Sequence, residues 1–299
     1  MNILLTGGTG LIGRALCRDL TAAGHALFVW SRRPQQVPGL CGSGVRGVAE
    51  LAELDNQQLD AVINLAGAPI ADARWSKPRK AELWKSRVTL TEQLVDWLGK
   101  REQRPYVLVS GSAIGWYGDR GEQPVDESSA ANNEYTHVLC DAWEAAARRA
   151  GSYGIRVCVL RTGLVLAPGG GFLQRLLPVF RLGLGGPIGN GQQYMSWIHL
   201  DDMLGIIHLL LDSPECRGPF NATAPTPVTS REFAKALGKA LRRPALLPVP
   251  APVLKLALGE MSRLLLTGQR VLPMRAEQAG YQFRHIQLDG ALASLLGKQ

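Results

Sequence analysis

The chain has 299 residues, enough for one large domain or two joined domains, and 46% of them are hydrophobic, as in ordinary globular proteins. The net charge of +8 is scattered, without a basic block interleaved with aromatic residues, which argues against nucleic-acid binding. Five separated cysteines without a C-x-x-C pair indicate reduced thiols, and no signal-peptide pattern or bilayer-length apolar run is present. We therefore expect a cytoplasmic protein without a membrane partner.

The N-terminal segment predicts a strand, a glycine-rich turn and a helix, in that order. Residues 1–6 are mostly apolar, the turn reads Gly-Gly-Thr-Gly-Leu-Ile-Gly, and residues 14–23 are amphipathic. This order is typical of a seat for a dinucleotide pyrophosphate, because glycines allow the tight turn and the helix N-terminus offers free N–H groups. A plain structural turn is the alternative. The residues expected to contact the cofactor are Gly7, Thr9, Gly10, Leu11, Ile12 and Gly13.

The second predicted strand, residues 26–30, is followed by Ser31, Arg32 and Arg33 rather than by an acid. Sites that prefer NAD usually place Asp or Glu here to hold the ribose 2′-hydroxyl. Two guanidiniums suit a 2′-phosphate instead, because arginine pairs with phosphate through a fork of hydrogen bonds. The pattern predicts NADP(H) as the cofactor, with solvated loop charges as the alternative.

Strand and helix patterns continue to alternate up to residue 165. Apolar strands are predicted at 60–66, 106–110 and 155–161, and helices at 78–98 and 134–150. Continuous apolar strands separated by helices predict an α/β fold, a Rossmann-type doubly wound parallel sheet. Ligands of such sheets bind at the carboxyl ends of the strands.

The character of the sequence changes after residue 165, where glycine-dense loops and proline-punctuated helices begin. We predict an NADP-binding domain at 1–165, with returning segments at about 196–225. A smaller, mainly helical substrate or lid domain is predicted at 166–195 and 226–299. Asp201 or Asp202 is expected to cap a helix. No spacing of His, Cys or acidic residues indicates a metal site.

Several motifs together resemble the extended short-chain dehydrogenase/reductase superfamily. They lie at residues 6–13, 64–67, 109–113 with 117–118, 160–163 and 197–202. The chain is similar, more narrowly, to an atypical subgroup called epimerase family proteins, through residues 86–91, 143–144, 220–225 and 268–273. The resemblance spans the whole chain and implies an NADP-binding fold with a characteristic C-terminal domain.

Further cofactor contacts follow from this resemblance and from the predicted strand ends. Arg161, at the carboxyl end of an apolar strand, is expected to meet the cofactor or a substrate anion, and a lone charge there is not expected to be buried without a partner. Solvated helix charge is the alternative for Glu82 and Arg87. The additional cofactor-binding candidates are Leu65, Ala66, Gly67, Glu82, Arg87, Ser110 and Arg161.

The Tyr-x-x-x-Lys pair that supplies acid/base catalysis in the superfamily has no counterpart in this chain. Tyr135 is followed four residues later by Leu139. In the register set by Glu144, the two positions hold Thr136 and Cys140, and a thiol does not replace a permanent cation. The usual mechanism is therefore not transferred.

Three residues remain as catalytic candidates. Ser112 corresponds to the superfamily serine and is expected to contact substrate or nicotinamide. The alternative is a strand-end serine that forms hydrogen bonds with backbone groups. Tyr117 either faces the nicotinamide or packs. His137 either donates a proton near neutral pH or caps a helix. Weaker candidates near them in sequence are Tyr135, Asp141 and His199.

The sequence therefore predicts an NADP(H)-dependent oxidoreductase or epimerase-like enzyme for a small polar metabolite, with sugar derivatives included. A non-catalytic NADP(H)-binding sensor is the alternative, favoured by the missing Tyr-Lys pair. The partners expected are a small-molecule substrate and, as an open alternative to a monomer, a second copy of the chain in a homodimer.

Overall fold

Short apolar segments form the strands of this protein, whose computed structural model describes residues 1–297. In chain order the described strands are β1 (Asn2–Thr6), β2 (Ala26–Trp30), β3 (Arg46–Val48), β4 (Ala61–Asn64), β5 (Val107–Ala113), β6 (Pro124–Val125), β7 (Arg156–Thr162), β8 (Leu164–Leu166), β9 (Tyr194–Met195), β10 (Trp197–His199), β11 (Gly218–Ala222), β12 (Val228–Thr229) and β13 (Arg270–Val271).

Helices connect most of these strands. In chain order the described α-helices are α1 (Leu11–Ala22), α2 (Val37–Cys41), α3 (Lys77–Trp84), α4 (Leu90–Lys100), α5 (Tyr135–Arg148), α6 (Gly171–Arg181), α7 (Leu200–Asp212), α8 (Ser230–Leu241), α9 (Ala251–Leu258), α10 (Arg263–Leu266), α11 (Met274–Gln278) and α12 (Leu288–Leu296). Within residues 1–297 none of these helices is both long and apolar enough to cross a membrane.

The central sheet has seven strands in the order β11-β7-β5-β4-β1-β2-β3, and every neighbouring pair is parallel. The chain builds outward from β1 in one direction through β2 and β3, and in the other through β4, β5 and β7. This reversal opens a crevice at the carboxyl end of β1, which is where doubly wound folds bind ligands. The predicted Rossmann-type fold is confirmed.

Both faces of the sheet are buried, which explains the continuous apolar runs. Ile3 and Leu5 of β1 pack with Leu16 of α1 on one face. Leu4, which points to the opposite face, packs with Leu94 of α4. Alternating side chains of one strand therefore serve two helical layers, so no polar face remains to give the sequence an alternating pattern.

The helix predicted at 78–98 is not one continuous α-helix. A π-helical segment, Lys85–Thr89, separates α3 from α4. Within it, the Ser86 hydroxyl accepts a hydrogen bond from the Ala68 N–H at 3.0 Å and donates to the Leu83 carbonyl at 3.1 Å. The serine thereby ties the segment to the loop after β4, and such π-helical turns are frequent at functional sites.

The chain beyond β8 forms short strand pairs and a second apolar cluster. Phe180, Trp197, Phe233 and Leu292 belong to this cluster, which joins α6, β10, α8 and α12. Strand β11 returns to the edge of the central sheet beside β7, within the segment expected to return. The division into two domains stays a prediction.

The N-terminus of α7 differs from the expectation that Asp201 or Asp202 caps it. His199 is the N-cap, and its Nδ1 accepts a hydrogen bond from the Asp201 N–H at 3.0 Å. Asp202 is buried and accepts instead from the Tyr281 hydroxyl at 3.0 Å and the Arg284 N–H at 2.8 Å. The capping prediction is wrong because Asp202 holds the C-terminal segment against α7.

Candidate functional site

The glycine turn between β1 and α1 leaves no room for side chains. Gly7 has a φ of +70°, and a Cβ added there would lie 2.6 Å from the Leu65 carbonyl carbon. A Cβ at Gly13 would lie 2.3 Å from the Gly7 carbonyl oxygen, which also accepts the Gly10 N–H at 3.0 Å. Helix, turn and strand therefore approach closely, as a pyrophosphate seat requires.

The N-terminus of α1 is built to receive an anion. Gly10 is its N-cap and supplies no side-chain cap, and no acid lies in the first turn. The N–H groups of Leu11 and Ile12 have no intrahelical acceptor, and the helix dipole adds partial positive charge there. Arg14 Nε donates to the Thr9 carbonyl at 2.7 Å, so a cation lies beside the turn. These residues fit a dinucleotide pyrophosphate.

The end of β2 presents two arginines to solvent. The Ser31 hydroxyl accepts a hydrogen bond from the Arg33 N–H at 3.2 Å and so shapes the turn. Arg32 and Arg33 are exposed, and within residues 1–297 neither guanidinium forms an ion pair. Both side chains are therefore available to a phosphate at this strand end.

A buried amide joins three strand ends next to the glycine turn. Asn64 accepts a hydrogen bond from the Thr6 hydroxyl at 2.6 Å and donates to Thr91 at 2.8 Å and Ser110 at 3.1 Å. The Thr6 hydroxyl also accepts the Ala66 N–H at 3.0 Å. The backbone at Ala66 is therefore tied to the end of β1, whereas Ser110, predicted to bind cofactor, is fully buried beside Asn64.

Arg87 lies against the backbone that follows β4. Its guanidinium carbon is 3.0 Å from where a Gly67 Cβ would stand and 5.4 Å from the Trp143 ring centroid. Within the described residues its guanidinium donates a long hydrogen bond, 3.4 Å, to the Ser86 hydroxyl, and burial lowers its pKa. A half-buried cation next to Gly67 that forms no ion pair within the described residues suits an anionic or polar ligand.

Two other predicted helix residues face away from this edge. Glu82 is exposed and pairs with Arg79 at 2.6 Å, which matches solvated helix charge. Asp141, on α5, is also exposed and lies 3.5 Å from Arg148. The structure brings neither carboxylate to the glycine turn.

A buried ion pair lies behind the carboxyl ends of β5 and β7. Arg161 donates to both carboxylate oxygens of Glu144, at 2.8 and 3.0 Å, and the Ser112 hydroxyl donates to the same group at 2.8 Å. Burial works to lower the pKa of Arg161, but the hydrogen bonds and charge of Glu144 raise it overall. Arg161 thus has a charged partner within the protein, and the Ser112 hydroxyl proton is used in a hydrogen bond to Glu144.

Tyr117 belongs to the same buried cluster. Its hydroxyl donates to Asn221 at 2.7 Å and accepts from Arg161 at 3.2 Å. Burial raises the pKa of Tyr117 to about 12, although Arg161 works in the opposite direction. The Trp116 ring covers Arg161, with its centroid 3.5 Å from the guanidinium carbon. A fully buried phenol held on both sides matches the packing interpretation of Tyr117.

His137 is held in a defined orientation on the first turn of α5. Its Nδ1 lies 2.7 Å from the Trp116 carbonyl oxygen, and its ring meets the Trp116 ring edge-on at 5.3 Å. A carbonyl only accepts, so Nδ1 carries the proton and Nε2 keeps a lone pair in the neutral ring. The half-buried Nε2 can therefore exchange a proton with a ligand.

Two protein families match this chain. The NAD dependent epimerase/dehydratase family matches residues 3–222, and a domain of unknown function, DUF1731, matches residues 249–295. The first match alone covers well over half of the chain. The chain belongs to the NAD dependent epimerase/dehydratase family. The predicted resemblance is confirmed.

Similar proteins extend over nearly the whole chain. The chloroplastic epimerase family protein SDR39U1 homolog of Arabidopsis thaliana is 40% identical over 304 residues, covering 99% of this chain and 87% of that protein. Human epimerase family protein SDR39U1 is 37% identical over 300 residues, covering 99% and 100%. A crystal structure of the human protein (isoform 2) with NADPH matches with a TM-score of 0.91 and 36% identity, over all of both chains.

A more distant structural match supports the fold alone. UDP-glucuronic acid 4-epimerase from Bacillus cereus, solved with UDP-glucuronic acid and NAD, has a TM-score of 0.79 and 17% identity, over 99% of this chain and 98% of that one.

Within this family, the buried position that would hold the catalytic lysine is neutral here. Burial, followed by the charge of Glu144, raises the pKa of Cys140 to about 12, so the thiol stays protonated. Tyr135, one position before Thr136, has a buried hydroxyl that finds no hydrogen-bond partner among residues 1–297, and its ring centroid lies 4.3 Å from the Lys80 ammonium. The cluster around Ser112 therefore lacks an acid/base pair in the usual register.

The last weak candidate, His199, lies in a cluster with Asp201 and His285 whose ligand atoms fall within 4.8 Å of one another. The two imidazoles stack 3.6 Å apart at 23°. A metal ion must lie in the plane of each ring that binds it, and nearly parallel stacked rings do not converge on one ion. Because His199 Nδ1 also accepts a backbone N–H, this arrangement does not suit a metal.

Sequence reasoning missed some residues that shape the site. In the sequence, Glu144 only sets the register in which Thr136 and Cys140 are compared with the Tyr-Lys pair, whereas in the structure it neutralises Arg161. Asn221 was noted only within a motif, and Trp116 had no signal at all. The expectation that Arg161 needs a partner was the one clue to Glu144.

Proposed function

We propose that this protein is an NADP(H)-dependent oxidoreductase or epimerase-like enzyme acting on a small polar metabolite, with sugar derivatives the first class to test. When bound, the cofactor supplies hydride transfer. The observation that carries the proposal is the glycine turn, whose close approach to β4 and free helix N-terminus suit a pyrophosphate. NADPH in the human relative agrees with this cofactor.

The 2′-phosphate of NADP(H) would be held at the end of β2. Arg32 and Arg33 are exposed there without a carboxylate partner in the described chain, and Ser31 fixes the turn between them and the strand. Arg87 lies at the other strand end, beside Gly67, where its uncompensated charge supports a cofactor contact. The chain thus offers separate cations to separate parts of the cofactor.

His137 is the residue that we assign to proton transfer. Ser112 and Tyr117 donate their protons to buried partners, whereas His137 is fixed through Nδ1 on the Trp116 carbonyl and its Nε2 forms no hydrogen bond within the described residues. A neutral imidazole oriented through one nitrogen is suited to accept and return a proton through the other.

The test begins with NADPH binding, followed by a screen of carbonyl compounds and nucleotide sugars for loss of nicotinamide absorbance. For any substrate found, His137→Gln should lower kcat by about 10²- to 10⁴-fold, because the proton donor is lost. His208→Gln is the matched control, since this half-exposed histidine pairs with Asp19 on the far side of α1. Full activity of His137→Gln would transfer the proton role to another residue.

A non-catalytic NADP(H) sensor is the second candidate function. The observation that favours it is the neutral Cys140 at the lysine position, together with a Ser112–Glu144–Arg161 cluster that satisfies its own members. Tight NADPH binding with no turnover across the whole screen would support the sensor and contradict the enzyme.

A further inference from the structure

The segment at residues 268–273, one of the motifs of the family resemblance, holds a cation that forms no ion pair within the described residues. Arg270 is half-buried, and its Nε is buried without a hydrogen-bond partner. The guanidinium lies over the Tyr194 ring, whose centroid is 5.5 Å from the guanidinium carbon. No ion pair of the described chain includes Arg270. Leaving such a charge uncompensated is costly, so its surroundings favour an anion.

Backbone contacts place Arg270 at the carboxyl edge of the central sheet. A Cβ at Gly163, directly after β7, would lie 2.6 Å from the Ser196 carbonyl oxygen. The Ser196 hydroxyl donates to the Gln269 carbonyl at 2.7 Å and accepts the Val271 N–H at 2.9 Å. Arg270, between those two residues, is therefore one backbone layer beyond the end of β7, on the edge where α/β sheets bind ligands.

The direction of the Arg270 side chain follows from its neighbours. Val271 is buried with Tyr117 and Val125, so it points into the protein core. Successive side chains of a strand point to opposite faces, so Arg270 points away from that core. A Cβ at Gly268 would lie 2.3 Å from the Tyr194 carbonyl oxygen, and glycine thus lets this segment press against Tyr194.

A further polar atom near this edge lacks a partner within the described residues. Gln193 donates through Nε2 to the Ile188 and Leu265 carbonyls, at 3.1 and 2.7 Å, but its buried Oε1 has no partner there. A guanidinium can serve anionic oxygens, and an amide oxygen can serve a hydroxyl.

We propose that Arg270 binds an anionic group of the substrate, a carboxylate or a phosphate. This deepens the proposed function and rests on it, because it gives the small polar substrate a negative charge. Arginine suits either group, since its fork donates two parallel hydrogen bonds.

The test uses the full chain saturated with NADPH, so that the cofactor phosphate sites are filled. Calorimetric titrations compare glycolate with ethylene glycol and glycerol 3-phosphate with glycerol, which distinguishes a carboxylate from a phosphate. At least one anion should bind about tenfold or more tightly than its neutral counterpart. Arg270→Met should weaken that anion by about 10- to 100-fold, the worth of a charge-assisted fork, and Arg270→Lys by less.

Arg263→Met is the matched control, because this arginine lies in the preceding helix and pairs with Glu134 at 2.5 Å. It should leave anion binding unchanged. Equal binding of anions and neutral counterparts would overturn the proposal, as would unchanged anion binding in Arg270→Met. If Arg270→Met does not fold, Arg270→Gln replaces it. Failure of the wild-type chain to bind NADPH would instead contradict the proposed function.

Discussion

The carboxyl edge of the sheet contains two polar regions, which differ in whether their polar groups have partners within the protein. Around the glycine turn, the N–H groups of α1 and the side chains of Arg32 and Arg33 are left without protein partners in the described chain. Around Glu144, by contrast, Ser112 and Arg161 direct their hydrogen bonds to one buried carboxylate. The first region is open to a ligand, and the second is satisfied by the protein itself.

This difference teaches that residues of a family motif keep different roles in one chain. A glycine turn works through backbone geometry, which any pyrophosphate-binding member must keep. In the superfamily the serine acts together with a Tyr-Lys pair; here one register places the neutral Cys140 at the lysine position, and Ser112 and Arg161 are bonded to Glu144. Chemistry, in our account, has moved to His137 on the neighbouring helix.

The largest expected effect concerns the buried cluster around Glu144. Glu144→Ala should lower the free energy of unfolding by about 3–5 kcal/mol, because Arg161 is left as an uncompensated buried charge. Denaturant titration measures this, with Glu82→Ala, an exposed glutamate, as the control that should change by less than about 0.5 kcal/mol. A near-zero effect of Glu144→Ala would show that the cluster is not structural.

A smaller effect sharpens the role of Tyr117. Tyr117→Phe should cost about 1–2 kcal/mol of unfolding free energy at neutral pH, because Asn221 and Arg161 lose a hydrogen-bond partner. Folding raises the pKa of Tyr117 from 10.0 to about 12, so the unfolded chain ionises first. Stability from this group is present below the unfolded pKa and is lost as pH rises toward the folded one.

The wild-type unfolding free energy should accordingly decrease as the pH rises from 10.0 to about 12, by at most roughly 3 kcal/mol from this residue. In Tyr117→Phe the fall should be correspondingly shallower. Denaturant midpoints measured across this alkaline range test the point, and identical pH profiles for the two proteins would mean that Tyr117 is accessible to solvent.

Much of the fold was predictable because burial leaves a pattern. The apolar runs gave β1, β2, β4, β5 and β7 to within a few residues, and the glycine spacing gave the turn before α1. The π-helical turn at Lys85–Thr89 was not predictable, since it depends on a bond between Ser86 and Ala68, a residue in another loop. The cap at His199 was missed because aspartates are the commoner caps.

The site was predictable only where it depends on local sequence. Ser31, Arg32 and Arg33 follow a strand end, so their shared location could be inferred from the chain alone. The bonds of Arg161 to Glu144 and of Tyr117 to Asn221 join residues 17 and 104 positions apart. No spacing within one segment indicates such contacts, and they decide whether a polar side chain serves a ligand or the core.

The most direct test of the account is a comparison of NADPH and NADH binding to the wild-type chain and to the Arg32→Ala, Arg33→Ala double variant. Fluorescence titration should give a wild-type Kd for NADPH about 10- to 100-fold below that for NADH, because only NADPH offers a phosphate to the two arginines. The double variant should lose that difference while keeping its affinity for NADH. Equal weakening of both cofactors, or no wild-type preference, would contradict the account.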